Sequence, residues 1–206
     1  MTKKELQDYY NINSLCFIEY DVMQTQTYFY ERESSYWKKH WKKTRSVMKR
    51  YKCKLIHHGD FSEFMGSYSD SLNKIKIMPP AVFVQIEDNE FTGICNYYKT
   101  LWHEIFHCII HHEFHVNMLL KYEAEEMIVE EAVRDIVLND ICPEYYQYLN
   151  NKGDLVNVRN KFKKECDEYI EVYRKKLLYD EKDKKQFEIY KCHIINKLKE
   201  IYNKCK

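Results

Sequence analysis

Thr100-Leu-Trp-His-Glu-Ile-Phe-His-Cys-Ile-Ile-His-His-Glu-Phe-His115 is the segment that decides the fold, because it combines five of the nine histidines with a regular apolar pattern. The apolar residues recur at helical spacing, and neither Gly nor Pro interrupts them. They are Leu101, Trp102, Ile105, Phe106, Ile109 and Ile110. The pattern predicts an α-helix that buries one stripe against the core.

The same helix carries a possible metal-binding pair. His103 and His107 are four residues apart, so on a helix their imidazoles can point at one divalent ion. Glu104 projects beside them, where a carboxylate can hold and deprotonate a water on the metal. The alternative is a buried amphipathic helix whose histidines are only core residues. The pattern from His103 to His107 is HExxH, and it resembles the active-site motif of zincin metallopeptidases.

A catalytic zinc site needs a third protein ligand and an open position for water. The metzincin motif HExxHxxGxxH would require Gly and His where this chain has Ile110 and Glu113, so that subclass is excluded. The segment Tyr122–Val137 has the apolar pattern of a second helix and is rich in glutamates. A glutamate on a following helix is the third ligand in the gluzincins, which this arrangement resembles.

Three glutamates of that helix are candidates. Glu126 lies nearest its apolar face, and the eighteen residues that separate it from His107 resemble the gap in gluzincin aminopeptidases. Glu130, one turn on, is then placed to hydrogen-bond a metal-binding histidine. Glu131, with Asp135 four residues later, resembles the thermolysin pattern. We predict Glu126 as the ligand, while Glu131 and Glu130 stay open as alternatives.

Composition and net charge exclude few classes of function. The 206 residues fit a single helix-rich α+β protein, and the net charge of +1 gives no overall field that would select nucleic acid. No apolar signal core opens the chain, and no stretch is long enough to cross a membrane, which leads us to expect a cytoplasmic protein with no membrane partner. The eight cysteines lack a CxxC spacing, so we expect buried thiols, with disulfides as the minor alternative. Cys108 is given no ligand role.

We divide the chain into an N-terminal segment (1–33), a zincin-like core (34–145) and a C-terminal helical extension (146–206). Residues 34–51 are predicted to form a helix with a serine cap. Its lysines alternate with Trp37, Trp41 and Tyr51, a mixture that can grip a phosphate backbone and stack bases. A solvated basic face on an amphipathic helix is the favoured interpretation, since the net charge of the chain, +1, is close to zero.

A small sheet is predicted next. Residues 52–58 form one strand, and 64–78 form a turn-linked pair that ends before Pro79 and Pro80, followed by a loop to the HExxH helix. Adjacent residues on a strand face opposite sides, so His57 and His58 are not expected to chelate one ion. The strand that ends at Met78 is the predicted exposed edge, where an extended peptide can pair with the sheet.

Within the zincins, residues 34–140 resemble the ImmA/IrrE metallopeptidases. The matching residues are Gly66-Ser-Tyr68, the HExxH motif and Ile110-His-His112. Phe106 departs from the usual glycine, and the acidic helix lacks the usual Glu-Ala-Asn/Asp pattern. The resemblance implies a Zn²⁺ peptidase acting on a peptide or protein substrate.

The remaining expectations concern His111 and the C-terminus. His111 lies too far round the helix to be a fourth ligand, so it is expected beside the site or on the surface. Two helices, at about 155–179 and 182–204, are expected to cover the cleft or dock a partner. A non-catalytic zincin-like interaction module and a nucleic-acid-associated protein using residues 34–51 are the alternative functions.

Overall fold

The computed structural model describes residues 35–57, 65–87, 89–114, 122–177 and 181–204. Its helices are α1 (Ser35–Arg50), α2 (Pro80–Glu87), α3 (Glu90–Phe114), α4 (Tyr122–Ala132), α5 (Leu138–Ile141), α6 (Val158–Lys176) and α7 (Glu181–Lys204), with a π-helical turn at Val133–Val137. Its strands are β1 (Lys54–His57), β2 (Gly66–Ser69), β3 (Lys74–Ile77), β4 (Gln147–Leu149) and β5 (Leu155–Asn157). The helix-rich α+β class is confirmed. The predicted N-terminal segment, His58 and His115 lie outside the described residues.

Helix α3 runs through the core, where it contacts α2, α4, α7 and the sheet. Its apolar stripe is buried as predicted, from Leu101 to Ile110. The predicted loop before α3 was wrong, because α2 occupies most of it. Pro80 begins that helix, at a position where the missing N–H of proline leaves no hydrogen bond unmade. A side chain at Gly93 would lie 2.3 Å from the Cα atom of Val84, so only glycine allows α2 and α3 to pack this closely.

The three-stranded sheet has the order β1-β3-β2, with β1 parallel and β2 antiparallel to β3. The predicted pair of strands at 64–78 is confirmed, but the predicted edge strand was wrong. The strand that ends at Ile77 is central, β1 and β2 are the two edge strands, and β2 is the more exposed of them. The alternating pattern of β3 came from Ile75 and Ile77, which are both fully buried, so alternation alone did not identify an edge.

Helix α4 is packed between α6 and α7, and it also contacts α3. The helix predicted at 155–179 begins only at Val158, since Leu155–Asn157 pair with β4 as a short hairpin. Asn157 caps α6 by accepting a hydrogen bond from the backbone N–H of Asn160. The wide turn at Val133–Val137 was not predicted, and such π-helical turns recur near functional sites.

Helix α1 matches the predicted basic helix, and its two tryptophans form part of the core. Trp37 and Trp41 are 4% and 1% exposed, and Tyr51 is also buried. These rings are therefore not available as stacking platforms for bases. Among the described residues, no helix has the length and apolar character required to cross a membrane.

Candidate metal centre

His103 and His107 lie one turn apart on α3 and aim the same ring atom at one point. The two Nε2 atoms are 3.1 Å apart, and the ring centroids are 4.9 Å apart. Both side chains are largely shielded from solvent at the bottom of an open cleft. The convergence follows from the helical repeat, which places residues i and i+4 on one face.

Glu126 on α4 completes a group of three. Its two carboxylate oxygens lie 3.2 Å from the Nε2 atom of His103 and 3.4 Å from that of His107. Two ligand atoms bound at about 2.1 Å to a tetrahedral ion are about 3.4 Å apart. The observed separations, which involve one oxygen of Glu126 for each histidine, are close to that value, so two imidazoles and one carboxylate could hold a small divalent ion. Among the described residues this is the one such group of His, Cys, Asp or Glu.

The other ring nitrogens of both histidines face carboxylates. The Nδ1 atom of His103 lies 3.2 Å from Glu130, and that of His107 lies 2.6 Å from Glu125. An N–H at Nδ1 that donates to a carboxylate leaves the lone pair of Nε2 directed at the central point. These contacts fix the ring orientation and tautomer that metal binding requires.

His111 is connected to the same network through Glu125. Its Nε2 atom lies 3.2 Å from the Glu125 oxygen that also contacts His107, and its Nδ1 atom lies 3.3 Å from Asp70. The ring of Tyr68 packs edge-on against it at 5.6 Å. His111 therefore lies beside the centre and does not join the three converging ligand atoms.

The electrostatics of the centre favour positive charge. Burial alone would lower the pKa of His107, but hydrogen bonds to Glu125 and Glu126 outweigh it and raise the pKa to about 9. The pKa of His103 is raised in the same way by Glu126 and Glu130, against burial. Burial would raise the pKa of Glu126, yet its contacts with the two histidines lower it well below the usual range. The surrounding carboxylates thus stabilise positive charge on the two imidazoles.

Glu104 stands beside the ligands, between α3 and β2. It is 6% exposed, and burial raises its pKa, although charge on His103 and His107 and a hydrogen bond from the backbone of Tyr68 act in the opposite direction. Gly66 allows β2 to approach this closely. A Cβ atom there would lie 2.9 Å from Thr100 Cγ2 and 3.1 Å from Glu104 Oε1.

The centre opens into a cleft of about 1230 Å³. The edge strand β2 lines it with Gly66, Ser67 and Tyr68, and α6 lines it with side chains from Glu165 to Tyr173. Within the described part of the C-terminal extension, α6 is the helix whose side chains line the cleft. Helix α7 packs against α3 and α4.

Lys99 anchors the floor of the cleft one turn before His103. Its Nζ atom lies 2.7 Å from Glu165 on α6, and the ammonium group is close to the ring of Phe162. Burial alone would lower the pKa of Lys99, but Glu165 and Glu130 contribute to raising it. Lys99 thus connects α3 and α6 close to Glu130, the acid that contacts His103.

The structure separates the three glutamates that the sequence left open. Glu126 reaches both histidines, Glu130 contacts only the Nδ1 atom of His103, and Glu131 turns to α7, where it pairs with Lys191 at 3.1 Å. Sequence reasoning missed Glu125, which holds both His107 and His111. Its signal was the spacing of the histidines, because residues 107 and 111 share one helix face and one acid can serve both.

No family model matches this sequence, and neither curated proteins nor solved structures include a significant match to the chain.

Proposed function

We propose that this protein is a zinc-dependent peptidase of the HExxH type, with His103, His107 and Glu126 as the metal ligands and Glu104 as the general base. The observation that carries the proposal is the pair of imidazole Nε2 atoms, 3.1 Å apart, with the two carboxylate oxygens of Glu126 lying 3.2 and 3.4 Å from them, beside a buried glutamate. Two imidazoles and one carboxylate are the ligand set of several catalytic zinc sites. We further propose a zincin-like catalytic core related to the ImmA/IrrE peptidases.

A bound zinc ion would polarise the scissile carbonyl and lower the pKa of a water molecule beside it. Glu104 would accept the proton of that water as it attacks the carbonyl carbon, and would later donate it to the nitrogen of the leaving amine. Glu125 and Glu130 hold the imidazoles in place.

The edge strand supports a polypeptide substrate. β2 lies along the cleft at the rim of the sheet, where an extended peptide can add as a further strand. Pairing through the main chain straightens the substrate beside Glu104 without selecting its side chains. This role was predicted for the strand that ends at Met78, and the proposal moves it to β2.

The position of Glu104 favours catalysis over a purely structural metal site. A structural site holds its metal with four protein ligands and needs no base. Here the three candidate ligands line the cleft, where a substrate could reach a bound ion, and the buried carboxylate of Glu104 lies beside them at the cost of desolvation. In the basic helix α1, Trp37 and Trp41 are buried and cannot stack on bases, which weakens the alternative of a nucleic-acid-associated protein.

Two substitutions test the proposal. Zinc content and the cleavage of a denatured protein are measured for the wild type, Glu104→Gln and His107→Ala. Glu104→Gln should keep zinc close to one equivalent and lose cleavage by about 10²-fold or more, the usual contribution of a general base. His107→Ala should lose both zinc and cleavage. Cleavage that persists undiminished in Glu104→Gln would overturn the mechanism.

A further inference from the structure

Helix α6 carries apolar side chains on the face that lines the cleft. Tyr169, Val172 and Tyr173 follow at i, i+3 and i+4, so they form one row on the helix surface. Tyr122, at the start of α4, extends this row, since its ring lies 6.4 Å from that of Tyr173. We call these four residues the apolar strip. Tyr122, Tyr169 and Val172 are 64%, 53% and 48% exposed.

The strip continues the core face of α6 towards the cleft. That face buries Val158, Phe162, Cys166 and Ile170, and Tyr173, three residues after Ile170, is half-buried against the core. All four residues of the strip line the same cavity as His103, His107 and Glu126. The apolar face of α6 therefore extends beyond the core into the cleft. Contiguous exposed apolar surface of this kind marks binding sites.

The charged residues of this wall already have partners. Glu165 is paired with Lys99 at 2.7 Å, and Glu168 lies 3.8 Å from Lys164 on the same helix. The acids of α4 that face the cleft contact the histidines of the metal centre. Beside these pairs, the surface that α6 offers a substrate consists mainly of Val172 and the rings of Tyr169 and Tyr173, which supply apolar contact.

We infer that the apolar strip binds a bulky aliphatic or aromatic side chain of the substrate beside the scissile bond. The substrate class is then an extended polypeptide segment with such a residue at one defined position. This inference rests on the proposed peptidase function. β2 would pair with the peptide main chain, which is the same in every peptide, whereas the apolar strip would select among substrate side chains. A side chain such as Leu or Phe would cover the exposed rings and gain apolar burial.

The test uses peptides of ten residues that differ at one central position, which is Leu, Phe, Ser or Glu. Cleavage rates and cut sites are measured for the wild type, for Tyr169→Ser/Val172→Ser, and for the control Tyr145→Ser. Tyr145 is 84% exposed and lies outside the cleft, so it matches the loss of exposed apolar surface. The wild type should prefer Leu and Phe over Ser, and the double variant should lose about tenfold or more of that preference in kcat/KM. The control should keep it.

A binding measurement separates the inference from the function on which it rests. Zinc-loaded Glu104→Gln is titrated with the Leu and Ser peptides, with and without the two strip substitutions. Tighter binding of the Leu peptide that disappears with the strip supports the inference, even if the wild type cleaves nothing and the peptidase proposal fails. Cleavage without a preference for bulky residues, or a preference that the double variant retains, overturns the inference while the peptidase function stands. Neither cleavage nor strip-dependent binding overturns both.

Discussion

The two histidines of the metal centre and His40 of α1 are all buried, but their surroundings shift their pKa in opposite directions. His40 is 2% exposed and packs between the rings of Trp37 and Tyr98. Burial lowers its pKa to about 4, although Asp140 opposes the shift at 3.8 Å. At the metal centre, burial acts in the same direction, but carboxylates in hydrogen-bond contact reverse the result.

The comparison shows that burial alone does not indicate a functional histidine. The core around His40 favours the neutral ring, as a structural position should. The centre on α3 places three glutamates of α4 against two imidazoles, which favours positive charge there. A divalent ion between the two Nε2 atoms would meet that demand with a single positive group.

The largest effect is expected from Glu126→Gln. Structural zinc sites with four ligands bind with about 10–16 kcal/mol, so the loss of one ligand should weaken zinc binding by roughly 3 kcal/mol, or more than a hundredfold. The matched control is Glu131→Gln, another buried acid of α4, whose partner is Lys191. It should leave the zinc affinity within about twofold, because it lies outside the cluster. Equal losses in a competition titration would contradict the assignment of the third ligand.

The next effect concerns acid stability. The pKa of His40 is lowered in the folded protein, so below the unfolded value near 6.5 only the unfolded chain binds this proton. Stability should therefore fall by about 2–3 kcal/mol from pH 6.5 to pH 4.5, a window above the range in which most carboxylates titrate. His107 has a raised pKa, so its contribution in metal-free protein is present below 6.5 and lost as the pH rises through about 9.

Urea denaturation of metal-free protein at several pH values measures the free energy of unfolding on the acid limb, from pH 6.5 to 4.5, and on the alkaline limb, up to about pH 9. His40→Gln should flatten the acid limb and leave the alkaline limb unchanged. If the acid limb kept its full slope in that variant, the contrast between the two histidine environments would be lost.

A smaller effect is expected from Glu130→Gln. This substitution removes the carboxylate that accepts from His103 and leaves all three ligands in place. Outer partners of this kind contribute roughly 10–100-fold to metal affinity. Glu168→Gln, an exposed acid on the wall of the cleft, is the control and should bind zinc as the wild type does. A zinc affinity unaffected by Glu130→Gln would show that packing alone orients His103.

The smallest effect is expected from Gly66→Ala. The added Cβ atom forces Thr100, Glu104 or β2 to move by a few tenths of an ångström. Misplacement of a catalytic group by about 1 Å can cost 10²-fold in rate, so we expect roughly a tenfold loss of cleavage with unchanged zinc affinity. Zinc loss in this variant would mean that β2 supports the ligands as well as the base.

The sequence was most informative where the chemistry depends on neighbours along one helix. The spacing of His103 and His107 was enough to place both rings at one point, because four residues make about one helical turn. The buried stripe of α3 followed from the same period. Helix α2 was missed because two prolines suggested an end and not a beginning, and the π-helical turn had no periodic signal.

The sequence by itself determined a pair of histidines with an adjacent glutamate on a buried helix, since these contacts lie within one turn. Only the tertiary structure showed that Glu126 contacts both histidines, Glu130 contacts His103 and Glu131 pairs with Lys191, because the packing of α4 against α3 and α7 sets which acid meets which partner. The tertiary structure also decided that β2 is an edge strand and that α6 borders the cleft. Those relations join residues far apart in the chain, and no local pattern encodes them.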